Sequence, residues 1–262
     1  MSKPHFFAHN IMAKQALIVG IDYVGQSCTL AGCANDAQAL ARMLVKRGYE
    51  IRLLLDDSQA AGQPSGERPT REAILVALME LVAGPARELF FSFAGHGSQQ
   101  LDDTGEEADG KDEVLCPADF ATAGMITDDA LRGALQALRR DQRLTVVLDC
   151  CHSGTGMDLK YQLYDRGGAF FQFFAANGTP TPAPVLLMSG CQDNQTSAEA
   201  FHLSEPRGAM TVALAEALEV PGARLGCAEL LGEVRAKLRG RGFSQTPQLS
   251  AGRACSPRTP FL

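Results

Sequence analysis

Two side chains in this sequence, His96 and Cys151, would together make a nucleophilic catalyst, and each has glycine close by. His96 sits in Gly95-His96-Gly97, and Cys151 follows it by 55 residues in Cys150-Cys151-His152-Ser153-Gly154. A thiolate attacks a carbonyl carbon, the imidazole handles the proton, and each ion stabilises the other. Glycine lets the backbone bend sharply and brings amide N–H groups near a developing oxyanion, for which Gly97 is the candidate. A cysteine at a strand end packs more often than it reacts, so the partner histidine is what points to catalysis. Zinc on Cys150, Cys151 and His152 is the metal alternative. It is disfavoured, because adjacent residues cannot easily surround one tetrahedral ion and there is no Cys-x-x-Cys spacing.

The elements that must position this pair read as alternating strands and helices, the pattern of a largely parallel sheet built from βαβ units. Strands are predicted at 16–22, 50–55, 88–95, 143–149, 184–190 and around 246–250. Helices are predicted at 34–48 with Gly48 as the stop, at 70–83 behind a Thr cap, at 128–140, near 207–219 and at 226–239. In an open parallel sheet the site lies beyond the carboxyl ends of the strands, and His96 and Cys151 both fall just past such ends. Residues 97–126 form a polar excursion too long for an idle connection, and a second long loop spans 155–184. Gly20-Ile-Asp-Tyr-Val-Gly25-Gln-Ser27 mimics a phosphate loop, but Gln26 stands where the lysine is needed, so it reads as a strand-exit turn.

The chain has 262 residues, enough to bury a core without disulfides. A net charge of -6 and a pI of 5.4, with no basic stripe, argue against a nucleic-acid partner. No apolar run approaches the roughly 18 residues of a membrane span. The eight cysteines follow no framework spacing and no signal-like leader is seen, so a reducing cytoplasm is expected. His5, His9 and His202 have no motif around them.

The segments Phe93-Ala94-Gly95-His96-Gly97 and Asp149-Cys150-Cys151-His152-Ser153-Gly154 resemble the two catalytic motifs of the metacaspases, relatives of the caspases. Leu30-Ala-Gly-Cys-Ala-Asn-Asp36 is similar to the family's segment opening its first helix, and Ser189-Gly-Cys-Gln-Asp-Asn-Gln-Thr-Ser-Ala198 to the start of its smaller C-terminal part. The likeness spans about residues 16–250 in family order. The spacing from His96 to Cys151 is also near the roughly 50 residues of caspases, although the caspase signature Gln-Ala-Cys is missing.

The resemblance implies an α/β, caspase-like sandwich with a central, mostly parallel six-stranded sheet flanked by helices. Residues 1–13 would be a short lead-in and 14–262 one peptidase domain, with a large part at 14–155, a linker at 156–183 and a small part at 184–262. It implies a cysteine endopeptidase cutting after Arg or Lys, with Cys151 rather than Cys150 as nucleophile and His96 as acid/base. Asp36 and Asp149 match the family's pocket for the cationic P1 side chain, which two carboxylates can hold by charge-assisted hydrogen bonds. The plain reading of Asp36 is a helix cap or dipole partner. Ala94 departs from the family, which often has Ser there. Asp112, Asp128 and Asp129 match calcium-binding carboxylates, against a plain reading as a solvated acidic loop and helix start. Lys160 and Arg166 are candidates for self-cleavage. A monomer acting on protein or peptide substrates is expected, with calcium as activator and no organic cofactor. The alternative is a caspase-like module that has lost catalysis and works by binding partners.

Overall fold

The computed structural model describes residues 14–56, 67–101, 110–150, 157–165, 171–176, 178–190, 209–219, 225–243 and 245–262. The chain opens with β1 (Lys14–Gly20), α1 (Cys33–Lys46), β2 (Tyr49–Leu55), α2 (Arg71–Ala83) and β3 (Glu88–Ala94). Then come β4 (Gly97–Leu101), β5 (Lys111–Leu115), α3 (Phe120–Ala123), β6 (Ile126–Thr127), α4 (Asp128–Leu135) and β7 (Arg143–Asp149). It ends with β8 (Tyr161–Asp165), β9 (Phe171–Ala175), β10 (Val185–Ser189), α5 (Ala209–Leu218), α6 (Cys227–Gly240) and β11 (Gln248–Ala251).

The main sheet has the order β2-β1-β3-β7-β10-β11-β8-β9. Its first five strands are parallel, and β11, β8 and β9 are added antiparallel. Period-2 alternation divides each central strand between two cores. Leu17 and Val19 of β1, Phe91 and Phe93 of β3, and Val146 and Leu148 of β7 face α2 and α4, where Ile74, Leu78, Leu131 and Leu135 meet them. Ala16, Ile18, Phe90, Val147 and Met188 face the other way, onto Leu40 and Leu44 of α1, Leu214 of α5 and Leu231 of α6. Burial on both faces is why these strands read as unbroken apolar runs. Truncating one such side chain, for example Leu148 to Ala, costs about 2–5 kcal/mol.

Local signals place several ends. Thr70 caps α2 by accepting from the Ala73 amide at 3.2 Å, and Gly48, at φ 84°, stops α1. Between Gly20 and Cys33 the chain turns, with the Gln26 amide on the Tyr23 carbonyl, as a strand-exit turn requires. α4 is shorter than its apolar period suggested: from Gln136 to Leu138 the amides bond three residues back, tightening the chain toward β7.

Three expectations are corrected. Among the described residues the sheet has eight strands instead of six, because the stretch 155–184, read as a loop, contributes the hairpin β8–β9. Among the described residues of the excursion 97–126, β4 and β5 join β6 in a separate three-stranded sheet, and α3 lies between β5 and β6. Polar, non-alternating sequence hid these short strands. No helix among the described residues is long and apolar enough to cross a membrane.

Candidate active site

The parallel register sets Gly20, Ala94 and Asp149 in one row across β1, β3 and β7. Asp22 and His96 each follow two residues beyond that row, and in the sequence Cys151 follows Asp149 by the same two. The Gly95 amide donates to the Asp149 carbonyl at 3.4 Å, extending the β3–β7 pairing one step toward the site. Gly20 must lack a side chain, since a Cβ there would stand 2.6 Å from the Cys33 carbonyl oxygen of α1. Cys151 itself lies outside the described residues, as do Arg166, His5, His9 and His202. Cys150 is buried in the core that holds Leu148.

His96 is held on all sides. Its amide donates to the Tyr23 hydroxyl at 2.8 Å and its carbonyl accepts from the Cys116 amide at 3.0 Å. Ring Nε2 lies 2.7 Å from the Cys28 carbonyl oxygen. A carbonyl only accepts, so Nε2 carries the proton and Nδ1 is the basic nitrogen of the neutral ring. Gly97, the oxyanion candidate, opens β4 opposite Leu115, next to this histidine.

Three carboxylates, Asp22, Asp36 and Asp149, lie close enough to one another to interact. Asp36 is half-buried in the first turn of α1, but the amides at that helix start are served by Asp22, which accepts from Cys33 at 2.8 Å and Ala34 at 3.4 Å. Asp36 is therefore not the cap, and its N-terminal position does not explain it. Its pKa is pushed up from 3.8 to about 7, first by burial and then by the charges of Asp149 and Asp22. Asp22 is also raised by burial, against the lowering effect of the Cys33 and Ala34 amides. Asp149 is buried and its Oδ2 accepts from both the amide and the hydroxyl of Thr211 in α5. Ala94 lies opposite Asp149 with its methyl group buried. Asp22 escaped the sequence reading because it falls inside the strand predicted at 16–22, whereas β1 ends at Gly20 and leaves Asp22 two residues beyond it.

A second acidic group forms at the start of α4. Carboxylate oxygens of Asp128, Asp129 and Asp158 lie within 4.8 Å of one another. Thr127 caps the helix through the Ala130 amide, and Asp128 accepts from the amides of Glu113 at 3.3 Å and Asp129 at 2.9 Å. Asp129 also pairs with Arg132. Asp112 is buried on β5, one residue from Glu113, and accepts from Gln100 Nε2 at 3.3 Å. The structure thus joins two of the predicted acids to Asp158, which nothing in its local sequence marked. Oxygens ligating one calcium at about 2.3–2.6 Å can stand no more than about 5 Å apart, so the spacing and the all-oxygen donor set fit a hard divalent cation.

Lys160 is not in open chain. Its Nζ donates to the Ala176 carbonyl at 3.2 Å, and its own carbonyl accepts from the Ala176 amide at 2.8 Å.

Residues 14–160 match the family model described as "Metacaspase, peptidase C14 domain". The chain is 35% identical to Metacaspase-1 of Cryptococcus neoformans, an alignment covering 100% of this chain and 67% of that protein. Among solved structures, a Geobacter sulfurreducens protein superposes with a TM-score of 0.66 at 22% identity, covering 95% of this chain and 98% of the other. Caspase-1 from Spodoptera frugiperda superposes with a TM-score of 0.56 at 14% identity, over 91% of this chain and 86% of that one. These two likenesses speak for a caspase-like fold alone. The family match runs through the row of strand ends from which His96 and Cys151 emerge, and on that ground the chain belongs to the metacaspases, cysteine peptidases of the C14 class.

Proposed function

We propose that this peptidase cuts after Arg or Lys, with Cys151 as nucleophile and His96 as its acid/base. The observation that carries the specificity is Asp36, a half-buried carboxyl raised to about 7 by burial and by two further carboxylates. Such a site gains most from a cation, which offsets the repulsion that like charges create. Asp36 is the principal partner in this reading, because one oxygen of Asp149 already serves Thr211.

In the reaction, Nδ1 of His96 takes the Cys151 thiol proton and the thiolate adds to the scissile carbonyl carbon. The oxyanion draws on nearby amides, Gly97 among them. The imidazolium returns its proton to the leaving amine as the C–N bond breaks, leaving a thioester on Cys151. Water then attacks, giving up its proton to His96, and the acid departs as the thiol is restored.

The reading includes calcium held by Asp128, Asp129 and Asp158 with Asp112 beside them. When bound, the ion would neutralise their mutual repulsion and tie the start of α4 to the chain entering β8. It also includes self-cleavage at Lys160 or Arg166 and a cytoplasmic monomer without membrane or nucleic-acid partners, to be tested by intact mass and light scattering.

The central test is a fluorogenic peptide panel varying only P1, together with a covalent inhibitor carrying a basic P1. Arg and Lys substrates should exceed Asp, Asn and neutral ones by about tenfold or more, the worth of one charge-assisted bond. The inhibitor should label Cys151. Equal rates across P1 would end the specificity reading, and labelling elsewhere would end the assignment of the nucleophile.

A further inference from the structure

We propose that Tyr23 is a positioning residue for His96, its hydroxyl fixing the histidine main chain between the turn after β1 and the end of β5. This rests on the reading of His96 as the acid/base. Tyr23 is fully buried, and its backbone has φ 53°, a left-handed conformation that bulky residues seldom adopt. That conformation sends the phenol under the site, where its ring lies 4.6 Å from the His96 ring, centroid to centroid.

The bonds of the hydroxyl are fully determined. The His96 amide can only donate and the Cys116 carbonyl can only accept, so Tyr23 Oη receives the first at 2.8 Å and gives its proton to the second at 2.6 Å. The Cys116 amide returns to the His96 carbonyl at 3.0 Å, closing a ring of three hydrogen bonds around the histidine backbone. Cys28, whose carbonyl orients the imidazole, belongs to the same turn as Tyr23. Within that turn the Tyr23 carbonyl accepts from the Gln26 amide at 3.0 Å and the Thr29 hydroxyl at 3.1 Å. One segment therefore sets both the backbone and the ring of His96. Burial holds the phenol proton far above its ordinary range, so the hydroxyl stays neutral and acts by geometry.

Gly95 supplies an independent handle, because a Cβ there would stand 2.9 Å from Tyr23 Oη. Tyr23→Phe keeps the ring and deletes only the hydroxyl. Gly95→Ala keeps the hydroxyl and pushes it aside.

The test uses the full chain, with rates normalised to titrated active sites so that unfolded protein does not count. Tyr23→Phe should lower kcat by about tenfold or more while KM for an Arg substrate stays within about twofold, since a misplacement near 1 Å can cost on the order of 100-fold. The pH profile of iodoacetamide alkylation at Cys151 should move to higher pH as the thiolate loses its aligned partner. Gly95→Ala should do the same. Its penalty should shrink in the Tyr23→Phe background, where there is no hydroxyl to displace. Unchanged kcat and alkylation profile in Tyr23→Phe, or penalties that simply multiply in the double variant, would overturn the proposal. If Tyr23→Phe does not fold, Gly95→Ala decides it by the same two readouts. His96→Ala is measured alongside: full activity there would refute the acid/base reading itself, whatever Tyr23 does.

Discussion

Asp149 and Thr211, 62 positions apart in sequence, share two hydrogen bonds of 2.8 Å, the amide and the hydroxyl of the threonine both donating to Oδ2 of the aspartate. The bonds tie the end of β7 to the first turn of α5, so one oxygen of a proposed pocket residue also holds the fold together. Among the described residues no such pair of bonds holds Asp36.

The two aspartates should therefore separate. Asp149→Asn and Asp36→Asn should both cut turnover of Arg substrates by about tenfold or more relative to neutral P1, the worth of one charge-assisted bond. Asp149→Asn should also lower unfolding free energy in urea by about 1.5–3 kcal/mol, because hydrogen bonds to a charged group are lost. Thr211→Val removes the hydroxyl bond and keeps the amide one, so it should show part of the stability loss with less effect on P1 preference. An Asp149→Asn protein as stable as the parent would mean that the Thr211 bonds give no net stabilisation.

The adjacent cysteines should separate as sharply. Cys150 is 6% exposed and belongs to the apolar core. Cys150→Ala should cost stability within the usual range of about 0.5–3 kcal/mol and keep most activity. Cys151→Ala should abolish turnover in folded protein. Equal losses of activity in both would place the nucleophile wrongly.

How far the sequence carried this picture depended on burial. The strands around Ile18, Phe91 and Val146 announced themselves because both faces are covered and most of their residues are apolar. Strand ends in the sequence put His96 and Cys151 just past β3 and β7, and the pairing register sets Ala94 opposite Asp149, two residues before each. The hairpin Tyr161–Asp165 and Phe171–Ala175 was missed because its two strands are only five residues each, lie at the sheet margin and sit inside a long stretch read as a loop. Asp158 was missed for a different reason: it reaches Asp128 and Asp129 only through tertiary folding. Tyr23 looked like a turn residue, and nothing in its neighbours revealed that its hydroxyl reaches His96 from 73 positions away.

Self-cleavage should favour Arg166 over Lys160. A peptidase needs an extended segment free of its own pairing, and Lys160 has both its carbonyl and its Nζ engaged with Ala176. Next to it, Leu159 bridges Thr179 and Tyr161 opens β8. Arg166→Gln should suppress the cut seen by intact mass in active protein, and Lys160→Gln should leave it. Cleavage persisting after Lys160 in the Arg166→Gln protein would reverse this order.

Calcium binding must compete with a cation already present, since Asp129 pairs with Arg132 one helical turn along α4. Arg132→Ala should therefore tighten calcium binding in calorimetry, by no more than about fivefold because partly exposed ion pairs are worth roughly 0–1 kcal/mol. Asp158→Asn should weaken it. Magnesium should bind less well to either protein, as it demands a smaller octahedral shell. Unchanged calcium affinity in Asp158→Asn would remove that residue from the site.

The last prediction follows from the direction in which Asp36 is shifted. Its folded pKa of about 7 lies above its ordinary 3.8, so the folded state holds this proton more tightly than the unfolded chain does. Ionising Asp36 then opposes folding: the penalty is absent below about pH 4, grows as pH rises, and is complete once pH passes about 7. Asp36→Asn should accordingly raise Tm at pH 8, with the gain shrinking as pH falls and vanishing below the ordinary pKa of 3.8. A cationic P1 side chain reverses the local balance, because it pairs with the carboxylate and not with the acid. Below about pH 7 its binding must expel a proton, so discrimination for Arg should climb with pH by up to about tenfold per unit and then level off. The quantity to measure is the ratio of kcat/KM for two substrates differing only in Arg or norleucine at P1. Titration of Cys151 and His96 affects both substrates alike and cancels in that ratio. Asp36→Asn should flatten the ratio across pH 5.5–8. A parent ratio already flat over that window would show that Asp36 does not face the substrate cation.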